Sequence, residues 1–251
     1  MRPNLLILAG TTEAAALARA VVAAGMSGTV SFAGRVERLP AQPLPQRVGG
    51  FGGVEGLKAY VREHGITHVI DATHPFAAQM SAHAVAACTA LGVPLVALTR
   101  PPWVPVEGDR WIRVPDIAGA VAALDREPCR VMLAVGRMHL AEFTPNLQHF
   151  YLLRLVEPPK APMPFPNHHV IVDRGPFTAE ADRALMEAHG IRLVVSKNSG
   201  GTGAYAKIAA ARTLGLPVIM IDRPQGLARH EVGSVEAVLD WVVHADTDLG
   251  V

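Results

Sequence analysis

The sequence lacks the features that identify several large classes of protein. Its 251 residues include only two cysteines, Cys88 and Cys129, which lie in apolar stretches without a partner motif and indicate a reducing compartment, although counting alone allows one disulfide. No apolar run approaches the ~20 residues that a membrane-spanning helix needs. A net charge of +1 gives no support for binding to nucleic acid or to a membrane surface. We therefore expect a cytoplasmic protein with neither partner.

Motifs of several common catalytic sites are absent as well. The 11 histidines form no His-Glu-x-x-His pattern and the cysteines are not paired, so no metal site is expected. A nucleophilic serine is not indicated, because the sequence has no Gly-x-Ser-x-Gly elbow. A nucleoside triphosphate site is not indicated either, because Gly-Lys-Ser/Thr is missing. The first residues lack a small-residue cleavage site, which argues against a signal peptide.

What the sequence does contain is typical of an α/β protein, with 50% hydrophobic and 18% charged residues. The apolar run 5–8 leads to Gly10, a Thr-Thr-Glu tripeptide and an alanine-rich stretch that ends at Gly25, which predicts a buried strand, a turn and a helix. The free N–H groups at such a helix N-terminus suit a phosphate. Only one of the three glycines of the dinucleotide fingerprint is present, so a purely structural unit is an equal alternative.

A second predicted strand, 28–33, is followed by Gly34 and Arg35. In dinucleotide-binding folds a carboxylate at this strand tip holds the ribose 2′-hydroxyl, whereas an arginine accommodates a 2′-phosphate. No carboxylate occurs here before Glu37, and Ser31 adds a hydroxyl. The pattern favours NADP over NAD. The alternative is that Arg35 is a solvated loop residue.

Four glycines surround Phe51 in the stretch 49–53. Glycines at this density allow the backbone to approach a ligand closely, which makes Gly52 and Gly53 candidates for ligand contact. The equally open alternative is that the stretch 49–53 is only a flexible loop.

The following stretch predicts a strand at 65–71, a helix at 76–91 and a strand at 93–98. In an open parallel sheet the loops that leave such strands share one edge, where ligands bind. These loops carry Asp71, Thr73, His74 and Arg100.

A similar unit recurs near the end of the chain. Residues 190–197 align with 65–72, and 214–224 align with 91–101, sharing Gly-Ile, Leu-Gly-x-Pro and Arg-Pro. We predict two Rossmann-like open parallel-sheet domains with a cleft between them: an NADP-binding domain over 1–108 and a second, substrate-binding α/β domain over 109–251. The shared residues favour a duplicated architecture. The alternative is that any two strand–helix–strand units look alike.

The strand-to-helix loop of the second copy is rich in hydrogen-bond donors and glycine. It runs through Ser196, Lys197, Asn198, Ser199 and Gly200. A helix N-terminus with these groups predicts an anion site, for a phosphate or for a carboxylate. Lys197 is then an anion partner or a proton donor, and otherwise a surface lysine.

Together these stretches resemble the precorrin-6A reductase family, the NADPH-dependent reductases of cobalamin (vitamin B12) biosynthesis. The resemblance covers nearly the whole chain. Its most specific parts are Asp-Ala-Thr-His-Pro-Phe-Ala at 71–77 and Ser-Lys-Asn-Ser-Gly-Gly at 196–201. The stretches 7–13, 33–35, 49–53 and 173–177 add to it.

The resemblance implies reduction of one C=C bond of the corrin-precursor macrocycle by hydride from NADPH, giving dihydro-precorrin-6 (precorrin-6B). The implied cofactor-binding residues are Gly10, Thr11, Thr12, Glu13, Ser31, Gly34, Arg35, Thr73 and His74. The macrocycle bears many carboxylates. The implied substrate-binding residues are Gly52, Gly53, Arg100, Arg137, Arg174, Ser196, Lys197, Asn198, Ser199, Gly200 and Arg223. Lys197 and His74 are the hypotheses for a catalytic proton donor, and enzymes of neighbouring pathway steps are candidate partners.

Three other interpretations stay open. The first is that the substrate is the cobalt-containing macrocycle of the anaerobic route. The second is that the chain is a non-redox two-domain binding protein for an anionic ligand, which predicts no nicotinamide affinity. The third is an NADP-dependent reductase of a small carbonyl compound, which is disfavoured because Tyr205 and Lys207 lack the three-residue gap expected there.

Overall fold

The computed structural model describes residues 2–34, 41–225 and 228–245. They form two compact units, the first made of residues 2–101, 225 and 228–245, and the second of Pro102–Pro224. Each unit contains a six-stranded sheet in which all neighbouring strands pair in parallel. The prediction of two parallel-sheet α/β domains is confirmed.

Strands and helices alternate along most of the chain. The strands are β1 (Asn4–Ala9), β2 (Ser27–Phe32), β3 (Gln46–Val48), β4 (His68–Ala72), β5 (Leu95–Leu98), β6 (Arg110–Val114), β7 (Arg130–Ala134), β8 (Phe150–Leu155), β9 (His168–Val172), β10 (Leu193–Lys197), β11 (Pro217–Ile221) and β12 (His230–Val232). The helices are α1 (Thr12–Ala23), α2 (Val54–Glu63), α3 (Ala78–Leu91), α4 (Ile117–Ala123), α5 (Ala179–Ala188), α6 (Ala206–Thr213) and α7 (Val235–Ala245), and a 3₁₀ segment covers Arg137–Asn146.

The two sheets have the same strand order. The first runs β3-β2-β1-β4-β5-β12 and the second β9-β8-β7-β10-β11-β6. Both follow the order 3-2-1-4-5-6 of dinucleotide-binding folds, in which the chain reverses direction across the sheet between the first and fourth strands.

The sixth strand of each sheet does not come from the chain segment that a simple repeat would use. β6 follows β5 in sequence but pairs with β11 in the second sheet, while β12 at the end of the chain pairs with β5 in the first. The predicted division at 108/109 therefore differs from the structure, which includes β12 and α7 in the first unit. The apolar face of α7 explains its position, because Val238 and Val242 are buried in the core around β1 and α1.

The first sheet is covered on both faces, as a parallel sheet requires. Alternate residues of β1 belong to two different cores: Leu5 and Ile7 to one, Leu6 and Leu8 to the other. The helix α1 packs on the first of these cores with the spacing of one helix face. No helix within the described ranges is long and apolar enough to cross a bilayer.

Candidate functional site

Most of the predicted site residues follow strands of parallel sheets and so lie at the carboxyl edge of each sheet. In the first unit the loops after β1 and β4, which carry Gly10 and Thr73, are neighbours at the switch point of the strand order. The loops after β2 and β5 flank them on either side. The structure therefore brings the described cofactor-site predictions to one sheet edge.

Gly10 is required by a close approach of backbone. A Cβ atom on Gly10 would lie 3.3 Å from the amide nitrogen of His74 and 3.6 Å from the Cα of Thr73. The next residue, Thr11, caps α1: its hydroxyl accepts from the amide of Ala14 at 3.3 Å and donates to the carbonyl of Ala72 at 3.0 Å. These contacts fix the helix N-terminus against the loop after β4.

Glu13, in the first turn of α1, forms an ion pair with Arg100. The Nη1 of Arg100 lies 3.2 and 3.1 Å from the two carboxylate oxygens, and Thr12 donates to one of them at 3.1 Å. Burial alone would raise the pKa of Glu13, but the backbone hydrogen bond and the charge of Arg100 outweigh it and hold the pKa below its ordinary value. Arg100 was predicted to bind substrate, but in the structure it contacts the loop after β1, which was predicted to bind the cofactor.

Asp71 organises the loop after β4. Its carboxylate accepts from the amide and hydroxyl of Thr73 at 3.1 and 2.7 Å, from Ser81 at 2.6 Å, and from Arg229 in an ion pair. The side chain of Asp71 is 1% exposed and that of Arg229 15%. Sequence reasoning missed Arg229, because its partner lies at a distant part of the chain.

His74 has a defined tautomer in this loop. The amide of Phe76 donates to the Nδ1 of His74 at 3.2 Å. An acceptor Nδ1 leaves the proton of the neutral ring on Nε2. His74 therefore presents a hydrogen-bond donor at Nε2.

Arg47, a residue of β3 that the sequence analysis did not single out, contacts both β2 and the loop after β3. Its guanidinium donates to the hydroxyl of Ser31 at 2.8 Å and stacks 3.8 Å from the ring centroid of Phe51. Gly34 has a φ of +74°, which favours glycine. The predicted 2′-phosphate residue Arg35 lies outside the described residues.

Gly52 and Gly53, predicted to contact substrate, lie in the first unit, where Gly53 is the N-cap of α2. Their φ angles of +78° and +91° favour glycine. They follow the edge strand β3, so their substrate contact stays a prediction.

In the second unit, Asn198 connects the loop after β10 to the backbone of Trp103 by hydrogen bonds. The amide side chain accepts from the Trp103 backbone nitrogen at 2.8 Å and donates to its carbonyl at 2.9 Å, while the indole of Trp103 donates to the carbonyl of Gly201 at 2.6 Å. Ser196 is fully buried and donates to the carbonyl of Lys197. Asn198 and Ser196 thus shape the loop, and their direct contact with substrate stays a prediction.

The predicted cations of the second unit differ in their surroundings. Arg223 donates to the carbonyls of Asn198 and Ser199 at 3.0 and 3.1 Å, and Arg174 pairs with Glu157 at 3.0 Å. Lys197 is half-buried at the end of β10, near the positive-φ Gly200. Arg137 is exposed after β7. Arg137, Lys197 and Arg223 lie at the carboxyl ends of three neighbouring strands, whereas Arg174 follows the edge strand β9.

The strand register identifies the residue of the second switch point that corresponds to each residue of the first. Leu8 pairs with Asp71 in the first sheet and Ala134 pairs with Ser196 in the second. Because Asp71 aligns with Ser196 in the repeat, Leu8 corresponds to Ala134. Two residues further along, Gly136 is the counterpart of Gly10. The aligned repeat also keeps its register, because Asp71 pairs with Ala97 and Ser196 with Met220.

The counterparts of Glu13 and Arg100 are His139 and Arg223, so the ion pair of the first unit is not repeated. His139 instead contacts Glu142 at 2.7 Å. The switch point of the second unit thus has an arginine at the position of Arg100, and a histidine instead of a carboxylate at the position of Glu13. This arrangement suits an anionic ligand.

Comparisons with known proteins give a consistent result. The family model described as precorrin-6x reductase CbiJ/CobK matches residues 4–243. A precorrin-6A reductase of Rhodobacter capsulatus is 54% identical over 99% of both chains, and a cobalt-precorrin-6A reductase of Priestia megaterium is 32% identical over 96% of this chain and 97% of its own. A solved structure titled CobK precorrin-6A reductase superimposes with a TM-score of 0.92 at 54% identity, covering 97% of this chain and 96% of that one.

Proposed function

This chain belongs to the precorrin-6x reductase family, and from that membership we propose that it reduces one C=C bond of precorrin-6A with hydride from NADPH, in cobalamin biosynthesis. The observation that carries the proposal is the 54% identity to a precorrin-6A reductase over 99% of both chains. The cobalt-precorrin relative is 32% identical, which favours the cobalt-free macrocycle as substrate.

The residues of the first unit fit a dinucleotide. The α1 N-terminus lies at the switch point, Gly10 leaves the backbone uncovered by a side chain, and Thr11 and Thr12 supply hydroxyls. We propose that this loop holds the pyrophosphate. Arg100 neutralises Glu13, whose carboxylate would otherwise repel the phosphates.

When bound, the nicotinamide supplies a hydride to one carbon of the C=C bond, and a proton must reach the other carbon. Two side chains are candidates for that proton. The Nε2–H of His74 follows from the Nδ1 contact with Phe76, and Lys197 is half-buried at the end of β10. We propose that one of them, or a water that it holds, completes the addition.

The second unit supplies cations for the substrate carboxylates. Arg137 is exposed, and Arg223 is held in place by the carbonyls of Asn198 and Ser199. A guanidinium offers paired donors that match a carboxylate. We propose that Arg137, Lys197 and Arg223 recognise acidic side chains of the macrocycle.

The proposal is tested with the purified chain, precorrin-6A, and NADPH that carries deuterium at the transferable C4 position. We expect the product to gain one deuterium, detected by mass spectrometry, together with an equimolar amount of NADP⁺. Product formation without deuterium transfer, or no reaction with NADPH or NADH, would contradict the proposal. Cobalt-precorrin-6A as a parallel substrate tests the anaerobic alternative. A cytoplasmic location and contacts with neighbouring pathway enzymes stay predictions.

A further inference from the structure

Arg47, in β3, is held in one orientation by neutral groups. Its Nη1 donates to the hydroxyl of Ser31 at 2.8 Å and to the carbonyl of Gly49 at 2.9 Å, and its Nη2 donates to the carbonyl of Gly50 at 3.1 Å. A guanidinium has five N–H groups. The Nε–H and one Nη2–H are therefore left without an acceptor within residues 2–34, 41–225 and 228–245.

A stack of rings supports this orientation. The guanidinium lies 3.8 Å from the Phe51 centroid, Phe51 meets Tyr60 edge-on at 5.2 Å, and Tyr60 stacks on His64 at 3.9 Å. Tyr60 and His64 belong to α2 or its cap, so the stack joins the loop after β3 to a helix. Gly56 lets the two approach, because a Cβ there would lie 1.6 Å from the carbonyl oxygen of Phe51.

The second unit contains a comparable arginine whose charge is neutralised. By strand register Arg154 is the counterpart of Ser31, and its guanidinium lies 3.8 Å from the ring centroid of Phe177. Arg154 forms a buried ion pair with Asp182, whose side chain is 2% exposed. Arg47 has no such carboxylate partner among the described residues, so it keeps its positive charge for a ligand.

We propose that Arg47 binds the 2′-phosphate of NADPH and sets the preference for NADPH over NADH. This inference rests on the proposed function. The carboxyl end of the second strand is where dinucleotide folds hold the 2′ position of the adenosine ribose, and Arg47 pairs in register with Ser31 there. The stretch 28–34 contains no carboxylate that would select the unphosphorylated ribose.

The chemistry of a phosphate monoester matches what Arg47 leaves available. A phosphate carries close to two negative charges and strong acceptor oxygens, and the Nε–H and Nη2–H can both donate to them. Ser31 is buried while Arg47 is half-buried, so a phosphate reaches the guanidinium first. Ser31 thus acts as a support for Arg47.

The test is calorimetric titration of the full chain with four ligands: NADPH, NADH, 2′,5′-ADP and 5′-AMP. The last two differ only in the 2′-phosphate. Loss of a hydrogen-bonded charge typically weakens binding by about 10- to 100-fold, and we expect R47Q to lose that much affinity for NADPH and 2′,5′-ADP while its affinity for NADH and 5′-AMP is unchanged. R62Q, which removes an exposed arginine of α2, should match the wild type.

Two further variants keep the test decisive if R47Q does not fold. R47K keeps the charge but loses the fork of donors, and F51L keeps Arg47 but removes its stacking partner; both should lower the preference for 2′-phosphorylated ligands partially. An unchanged preference in these variants, or equal weakening of NADPH and NADH, would overturn the role of Arg47. A wild type that binds NADPH and NADH equally would also overturn it, whereas a wild type that binds no dinucleotide contradicts the proposed function itself.

Discussion

The two units share a strand order but fasten their sixth strands differently. In each unit the residue directly before the sixth strand forms an ion pair: Arg229 with Asp71 before β12, and Asp109 with Arg212 before β6. The first pair includes a carboxylate that also orders Thr73 in the loop after β4. The second pair ties β6 to α6. The ion pair beside the sixth strand therefore lies near the candidate site in the first unit and away from it in the second.

The largest effect is expected from breaking the first pair. Arg229→Ala leaves the buried carboxylate of Asp71 without its cation, and breaking a buried pair by removing one partner typically costs about 3–5 kcal/mol. Hydrogen-exchange mass spectrometry should show the loss of protection in peptides from β4, β5 and β12. Urea unfolding gives the change in free energy.

Arg62→Ala, on the exposed side of α2, is the matched control and should leave exchange unchanged. Adding Asp71→Asn to Arg229→Ala removes the orphaned charge and should recover part of the stability. If Arg229→Ala behaved like Arg62→Ala, the pair would not be what fastens β12.

A smaller effect is expected from the corresponding change in the second unit. Arg212→Ala also leaves a carboxylate that is 1% exposed, but the side chain of Arg212 is 25% exposed against 15% for Arg229, so water replaces the missing guanidinium more readily beside Asp109 than beside Asp71. A buried acceptor that loses one partner typically costs about 1–3 kcal/mol. The loss of exchange protection should appear in β6 and α6, with Arg183→Ala as the control. Destabilisation equal to that of Arg229→Ala would remove the distinction between the two units.

The position of the sixth strands marks the limit of what could be predicted from the sequence. The strand–helix–strand units were identified because Gly-Ile and Leu-Gly-x-Pro are local signals, and the strand register supports their alignment. β12 has only three residues, and β6 lies in a proline-rich stretch. Neither stretch was predicted as a strand, and the predicted boundary at 108/109 assigned β6, but not β12, to the unit in which the structure has it.

The candidate site shows the same division between local and long-range signals. The loops after β1 and β4 were predicted because glycine and hydroxyl residues follow apolar strands. The partners within those loops were not, since Glu13 meets Arg100, and Asn198 meets Trp103, across long separations in the chain. Sequence patterns indicate which residues reach the sheet edge, but not which of them neutralise each other.

The two switch-point glycines give a third prediction, because they are glycine for different reasons. Gly136 has φ 82° and ψ 153°, a region that is essentially restricted to glycine, so Gly136→Ala should cost about 1–3 kcal/mol of stability. Gly10 has no such φ, but a Cβ there would crowd the loop after β4. Gly10→Ala should therefore weaken NADPH binding with a smaller loss of stability. Thermal unfolding and cofactor titration of both variants separate the effects, and the reverse pattern would contradict them.

The smallest effect concerns Glu13, which has no carboxylate counterpart in the second unit. Its pKa is lower in the folded chain than its ordinary value of 4.5, so its contribution to stability is present above that value and is lost as the pH falls through the folded-state pKa. Because its side chain is 30% exposed, the contribution is about 0.5 kcal/mol. The difference in melting temperature between wild type and Glu13→Gln should therefore narrow on acidification from about pH 6 to about pH 3, as the protonated acid comes to resemble the amide. Glu63→Gln, an exposed change in α2, is the control. A difference that stays constant or widens in acid would mean that the pair with Arg100 does not stabilise the ionised form of Glu13. The two switch points would then differ in the residues they carry, but not in the stability that this ion pair contributes.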